Sequence, residues 1–142
     1  MTQTRTPISL GDEIPAVEFR LTRDTLVRYA GASGDFNPIH YRDDVASSVG
    51  LPGVLAHGML TMGVAVQSTV RWIGDPGRIL DYQTRFTRPV VVDPDSGATI
   101  SVAGKVAQVD DESGTARVDL TVTYNGETVL GKAQVQVRLV SA

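Results

Sequence analysis

Residues 57–73, HGMLTMGVAVQSTVRWI, constrain the fold more than any other stretch of the chain. Their spacing predicts the longest helix, and Met59, Leu60, Met62, Val64 and Val66 put apolar groups on nearly every face of its first half. A helix that is apolar all round belongs in an interior, so other elements must cover it. Gly63 and Ala65 would let a strand or a ligand approach its backbone closely.

The covering elements follow in sequence. After Gly77 the hydrophobic period changes to two: Leu80, Tyr82 and Phe86 share one strand face, Val118, Leu120, Val122 and Tyr124 a second, and Ala133, Val135, Val137 and Leu139 a third. Asn125-Gly126 predicts a hairpin between the last two strands, because both residues tolerate positive φ. Asp93–Gly97 and Asp110–Gly114 are the other turns of this half. Upstream, residues 14–21 read as a strand, and Thr22 can cap a helix that carries Leu26, Val27, Tyr29 and Ala30 and ends at Gly31 or Gly34. A short helix over Asp43–Val49 stops at Gly50 and Pro52. The expected architecture is α+β: an antiparallel sheet of about five or six strands around one long buried helix, in a single domain over residues 1–142.

Composition removes several function classes. A net charge of −3 with no run of basic residues speaks against a nucleic-acid partner. Without cysteine there is no disulfide framework, thiolate zinc site or cysteine nucleophile, and two histidines are too few for a zinc site. Neither GxxxxGK[ST] nor GxGxxG occurs, so no nucleotide cradle and no cofactor are expected. The opening MTQTRTPISLGDEIP lacks the apolar run of a secretory signal, and the apolar stretch from Gly53 to Val70 is broken by His57, Thr61 and Gln67. A soluble cytoplasmic protein is expected.

Both histidines, His40 and His57, fall in glycine-bearing segments beside the long helix. In Asp35-Phe36-Asn37-Pro38-Ile39-His40, Pro38 forbids regular helix and pushes Asn37 toward an extended conformation. The loop can then fold back and aim Asp35 and His40 into one pocket, where a carboxylate and an imidazole suit proton transfer near neutral pH. The same residues also suit a purely structural role, with Asx turns at Asp35 and Asn37 and a helix end at Gly34. At Ala56-His57-Gly58-Met59, the free N–H groups of a helix start suit a carbonyl oxygen that gains charge, and Gly58 has no side chain to block it. Alternatively, His57 fits near the helix cap and Gly58 eases a tight start.

Taken together, SGDFNPIH (33–40) and LAHGMLTMG (55–63) resemble the MaoC-like family of (R)-specific enoyl-CoA hydratases and dehydratases. YAGASGD before them and RFTRPV (85–90) after them extend the resemblance over most of the chain. GDFNPIH, AHGMLTMG and WIGDPG (72–77) resemble in particular the B subunits of mycobacterial (3R)-hydroxyacyl-ACP dehydratases, although Val92-Asp93 stands where many relatives carry Gly-Asp. The resemblance implies a hot-dog fold, catalytic Asp35 and His40, and an oxyanion-binding N–H at Gly58. The implied substrate is an enoyl or 3-hydroxyacyl thioester of CoA or acyl carrier protein. A homodimer, or a heterodimer with a hot-dog paralogue, is implied as well. Asn37 and His57 are assigned to orienting the loop and the helix start, and Gly63 and Val66 to lining the acyl tail. No metal is expected. Two rivals are a non-catalytic acyl-binding hot-dog subunit, which should have lost Asp35 or His40, and a hot-dog thioesterase, which usually needs a carboxylate on the central helix. Residues 57–73 contain none.

Overall fold

The computed structural model describes residues 7–140. Strand β1 (Glu13–Leu21) leads into helix α1 (Arg23–Ser33), and a single 3-10 turn (Pro38–His40) precedes helix α2 (Asp43–Ser48). Helix α3 (Gly58–Ile73) follows, then a second 3-10 turn (Pro76–Arg78) and strands β2 (Ile79–Phe86), β3 (Ala98–Asp110), β4 (Thr115–Tyr124) and β5 (Glu127–Arg138). The strands form one antiparallel five-stranded sheet in the order β1-β3-β4-β5-β2. It curls about α3, which touches every strand. This is the hot-dog arrangement.

Local chemistry accounts for the element ends. Thr22 caps α1 in a reciprocal capping box with Thr25, and Gly34 closes the helix in the left-handed region at φ 76°. The β4–β5 hairpin turns through Asn125 (φ 50°) and Gly126 (φ 77°), with Tyr124 paired to Glu127. The two Asp…Gly turns share one design. Asp93 Oδ1 accepts from the N–H groups of Asp95 and Ser96, and Asp110 Oδ1 accepts from those of Glu112 and Ser113. Each turn ends on a glycine with positive φ, Gly97 or Gly114.

Helix α3 departs from the expected all-round burial. Its buried face consists of Thr61, Ala65, Ser68, Thr69 and Ile73. Met59 is 58% exposed, and Leu60, Val64 and Val66 are only partly buried against the core. Short side chains face the sheet because the sheet closes tightly over the helix on that side. β4 and β5 read as expected, with Val118, Leu120, Val122, Ala133, Val135 and Val137 buried. β2 does not: its pairing with β5 shifts between Ile79 and Asp81 and again between Gln83 and Arg85, so the strict alternation breaks. Leu80 and Phe86 are exposed, and only Tyr82 of the expected set packs inward, its hydroxyl donating to Met62 O at 3.0 Å. Arg78, which reads as a surface arginine by type, is buried; its guanidinium donates to Arg138 O and Ile73 O and so ties the end of α3 to β5.

Two glycine substitutions separate backbone strain from helix propensity. A Cβ on Gly97 would stand 2.4 Å from Leu21 O in a left-handed backbone, whereas one on Gly31, inside α1, meets nothing within 4 Å. Gly97→Ala should therefore cost about 1–3 kcal/mol of unfolding free energy. Gly31→Ala should add about 0.5–1 kcal/mol. Urea-denaturation midpoints of the two variants test both signs.

Candidate active site

The site is built on a short extended segment, residues 54–56, which leads into α3. Ala56 N–H donates to Val90 O and Val92 N–H to Val54 O, so one side of the segment pairs with residues 90–92. Tyr124 anchors that neighbour by donating its hydroxyl to Val91 O at 2.9 Å. On the other side Leu55 N–H donates to Ile39 O, and Leu55 O accepts from His40 Nδ1–H at 2.7 Å. That last bond settles the tautomer of His40. With its proton on Nδ1, the ring presents Nε2 as an acceptor.

The loop before His40 makes the Asx turns its sequence suggests and also brings Asp35 near His40. Asn37 N–H donates to Asp35 Oδ1 and Ile39 N–H to Asn37 Oδ1, two successive Asx turns, and Gly34 ends the helix. Only one oxygen of Asp35 is used in this way. The other, Oδ2, faces His40 Nε2 at 3.9 Å, beyond direct hydrogen-bond length. Asp35 is half exposed and His40 is buried. The pair thus offers two acceptors across a gap, and a molecule with two O–H donors can bridge them.

His57 lies directly behind this pair. It is 1% exposed, and its Nε2–H donates to the main-chain carbonyl of Asp35 at 3.1 Å. Its ring stacks on that of His40 with centroids 3.8 Å apart and planes inclined by 24°, while Tyr29 meets it edge-on at 4.8 Å. His57 Nδ1 has no partner and is buried. Burial strips water from the charged imidazole and holds its pKa below the usual 6.5, outweighing the hydrogen bond to Asp35, and the nearby His40 pushes the same way.

Asp35, His40 and His57 each bring a potential metal-ligating atom within 4.8 Å of the others. The two imidazoles, however, lie nearly parallel and stacked, and each has one nitrogen committed to a carbonyl. Their in-plane lone pairs do not converge on one point, as a shared ion would require.

His57 also stands at the N-cap of α3 but makes no side-chain cap bond. Thr61 N–H is the first to reach back, to His57 O, so the N–H groups of the first turn lack helical partners. Gly58 opens this turn at the wall of a cavity of about 340 Å³. Along with His40, its lining includes Leu55, Thr61, Phe86, Arg88 and Leu130. A Cβ on Gly58 would come within 3.0 Å of the Phe86 ring. The structure therefore gathers Asp35, Asn37, His40, His57 and Gly58 in one place. It does not bring Gly63 or Val66 to this cavity: Gly63 lies exposed in open space and Val66 leans on the core.

Residues 7–124 match the family described as the MaoC like domain. The chain belongs to the MaoC-like family. It is similar to the (R)-specific enoyl-CoA hydratase of Rhodospirillum rubrum, with 30% identity over 119 residues covering 82% of this chain and 80% of that one. It is also similar to 3-hydroxyacyl-thioester dehydratase X of Mycobacterium tuberculosis, 34% identical over 87 residues, 61% of this chain and 30% of that protein. A solved MaoC-like dehydratase superposes with a TM-score of 0.91 at 41% identity, covering 94% of this chain and 41% of the other. The chain thus spans well under half the length of some of its relatives. Among the described residues, no helix is long and apolar enough to cross a membrane.

Three parts of this MaoC-like site escape the sequence reading: Tyr29, Leu55 and the Phe86–Val90 wall. The helical spacing of Tyr29 and the RFTRPV likeness were the available signals for two of them. Leu55 acts through its carbonyl, which no side-chain pattern reports.

The buried His57 makes stability pH-dependent. Above pH 6.5 both folded and unfolded chains keep it neutral; as the pH falls, the unfolded chain takes up a proton that the folded site resists, so stability drops. Melting temperatures between pH 8 and 5 should fall more steeply for the wild type than for His57→Gln.

Proposed function

We propose that this chain is an (R)-specific hydratase/dehydratase interconverting trans-2-enoyl and (3R)-3-hydroxyacyl thioesters, with Asp35 and His40 as its acid/base pair. The observation that carries the reading is the pairing of Asp35 Oδ2 with His40 Nε2 across 3.9 Å, with the uncapped start of α3 close by. In hydration, one water donates its two protons to these acceptors and turns a lone pair toward C3 of the enoyl thioester. As the C3–O bond forms, the water loses one proton to the pair. The electrons of the C2–C3 double bond move toward the carbonyl, whose oxygen gains negative charge. Gly58 N–H, aided by the helix dipole, stabilises that oxygen. A proton from the pair then reaches C2, which completes addition of water. Dehydration runs the same steps backward: the pair removes the C2 proton and protonates the departing 3-hydroxyl.

Asn37 holds the loop through its Asx turn, and His57 orients the loop and the start of the helix. The thioesterase alternative finds no carboxylate on α3, and a non-catalytic subunit would have no use for an intact Asp35–His40 pair. The substrate is a thioester of CoA or acyl carrier protein. The larger side chains along α3 that remain outside the sheet, Met59 foremost, suit cover by a second hot-dog unit, identical or paralogous. We place this chain in the cytoplasm.

The test is loss of trans-2-enoyl-CoA or its acyl-carrier-protein thioester, measured by absorbance, beside folded Asp35→Asn and His40→Ala variants. Each should be slower by ~100-fold or more, and the wild-type product should have the (R) configuration. Wild-type rates in both variants would overturn the assignment.

A further inference from the structure

Resting on that acid/base reading, we infer that His57 is a positioning residue that fixes both halves of the pair from behind. Three contacts of one side chain and its backbone carry the inference. The Nε2–H of His57 holds the main-chain carbonyl of Asp35, the residue that must aim Oδ2 at the water. The flat of its ring lies against His40 at 3.8 Å, so His40 cannot tilt away from the cavity without sliding across a buried surface. Its own carbonyl accepts the first helical hydrogen bond of α3, from Thr61, which sets the position of the adjacent Gly58 N–H. Tyr29 closes the far side of the ring and leaves it little freedom to move.

The tautomers are part of the arrangement. Asp35 O only accepts, so His57 carries a proton on Nε2; Leu55 O only accepts, so His40 carries a proton on Nδ1. The two stacked rings are thus held in opposite tautomers by two carbonyls. A better helix cap, such as Ser or Asp, would satisfy the first-turn N–H groups instead of leaving them to a substrate oxygen. His57 leaves those groups uncapped, and its Nδ1 is buried without a partner. That unpartnered nitrogen follows from the choice of an imidazole at this position.

Two variants divide the side chain's work. His57→Gln keeps an N–H donor for Asp35 O and loses the ring; His57→Phe keeps a ring for His40 and loses the donor. Each folded variant should lower kcat by about 10- to 100-fold, the cost of sub-ångström misplacement of reacting groups, while KM changes less than ~3-fold. The wild type supplies a second measurement: 15N shifts of the imidazoles should report the Nε2–H form for His57 and the Nδ1–H form for His40. A wild-type kcat in either variant, a loss carried by KM, or averaged tautomers at both histidines would overturn the inference. Asp35→Asn and His40→Ala in the same assay separate the two ideas. If they abolish activity and the His57 variants keep a wild-type kcat, only the positioning role fails; if they too leave activity intact, the acid/base reading has failed beneath it.

Discussion

The hydrogen bond from His40 Nδ1–H to Leu55 O is the contact on which the arrangement of this site depends. It is a main-chain carbonyl on a segment paired to residues 90–92, which Tyr124 in turn holds to the middle of the sheet. The orientation of His40 is therefore set by the sheet rather than by the loop that carries the histidine. This matters because a loop made of two Asx turns and a 3-10 turn has no regular ladder of its own to keep a ring within a few tenths of an ångström. The same segment continues directly into His57 and Gly58. One piece of backbone thus fixes the imidazole, its stacking partner and the start of α3 relative to one another.

The second constraint comes from the helix. Thr61, Ala65 and Ser68 face the sheet, and such short side chains let the strands close over α3 without pushing it outward. The bulkier groups are left on the other side. This explains how a helix with so apolar a sequence has 58% of Met59 exposed in a folded chain. It also bears on Gly58: a Cβ there would stand 3.0 Å from the Phe86 ring, so the absence of a side chain lets the helix start lie close to the cavity wall.

Much of this was legible in the sequence because the physical causes are local. The Thr22 cap, the Asn125-Gly126 hairpin, the two Asp…Gly turns and the alternating faces of β4 and β5 all depend on residues within a few positions of one another. The convergence of Asp35 and His40 was legible as well, since Pro38 rules out the helix that would have splayed them. What the sequence hid was non-local. The bulges that turn Leu80 and Phe86 outward arise from pairing with β5, and the inward role of Arg78 depends on Arg138 sixty residues away. Gly63 reads as a close-approach glycine, yet a Cβ there would meet nothing within 4 Å, whereas one on Gly104, in β3, would stand about 3 Å from Leu120 and Ile14.

Asp35 and His40 are unequally exposed. A carboxylate buried as deeply as His40 would pay heavily for its charge, and an imidazole as open as Asp35 would have no fixed direction. Here the carboxylate is half in solvent, where water can reach it, and its Oδ1 is pinned by Asn37 N–H. The partner whose direction must be exact in angle is the buried one, held at Nδ1 by Leu55 and on its face by His57. An accessible acceptor beside a rigidly held one can take up a water from solvent and still orient it. Two equally buried or equally exposed groups would lose one of those two properties.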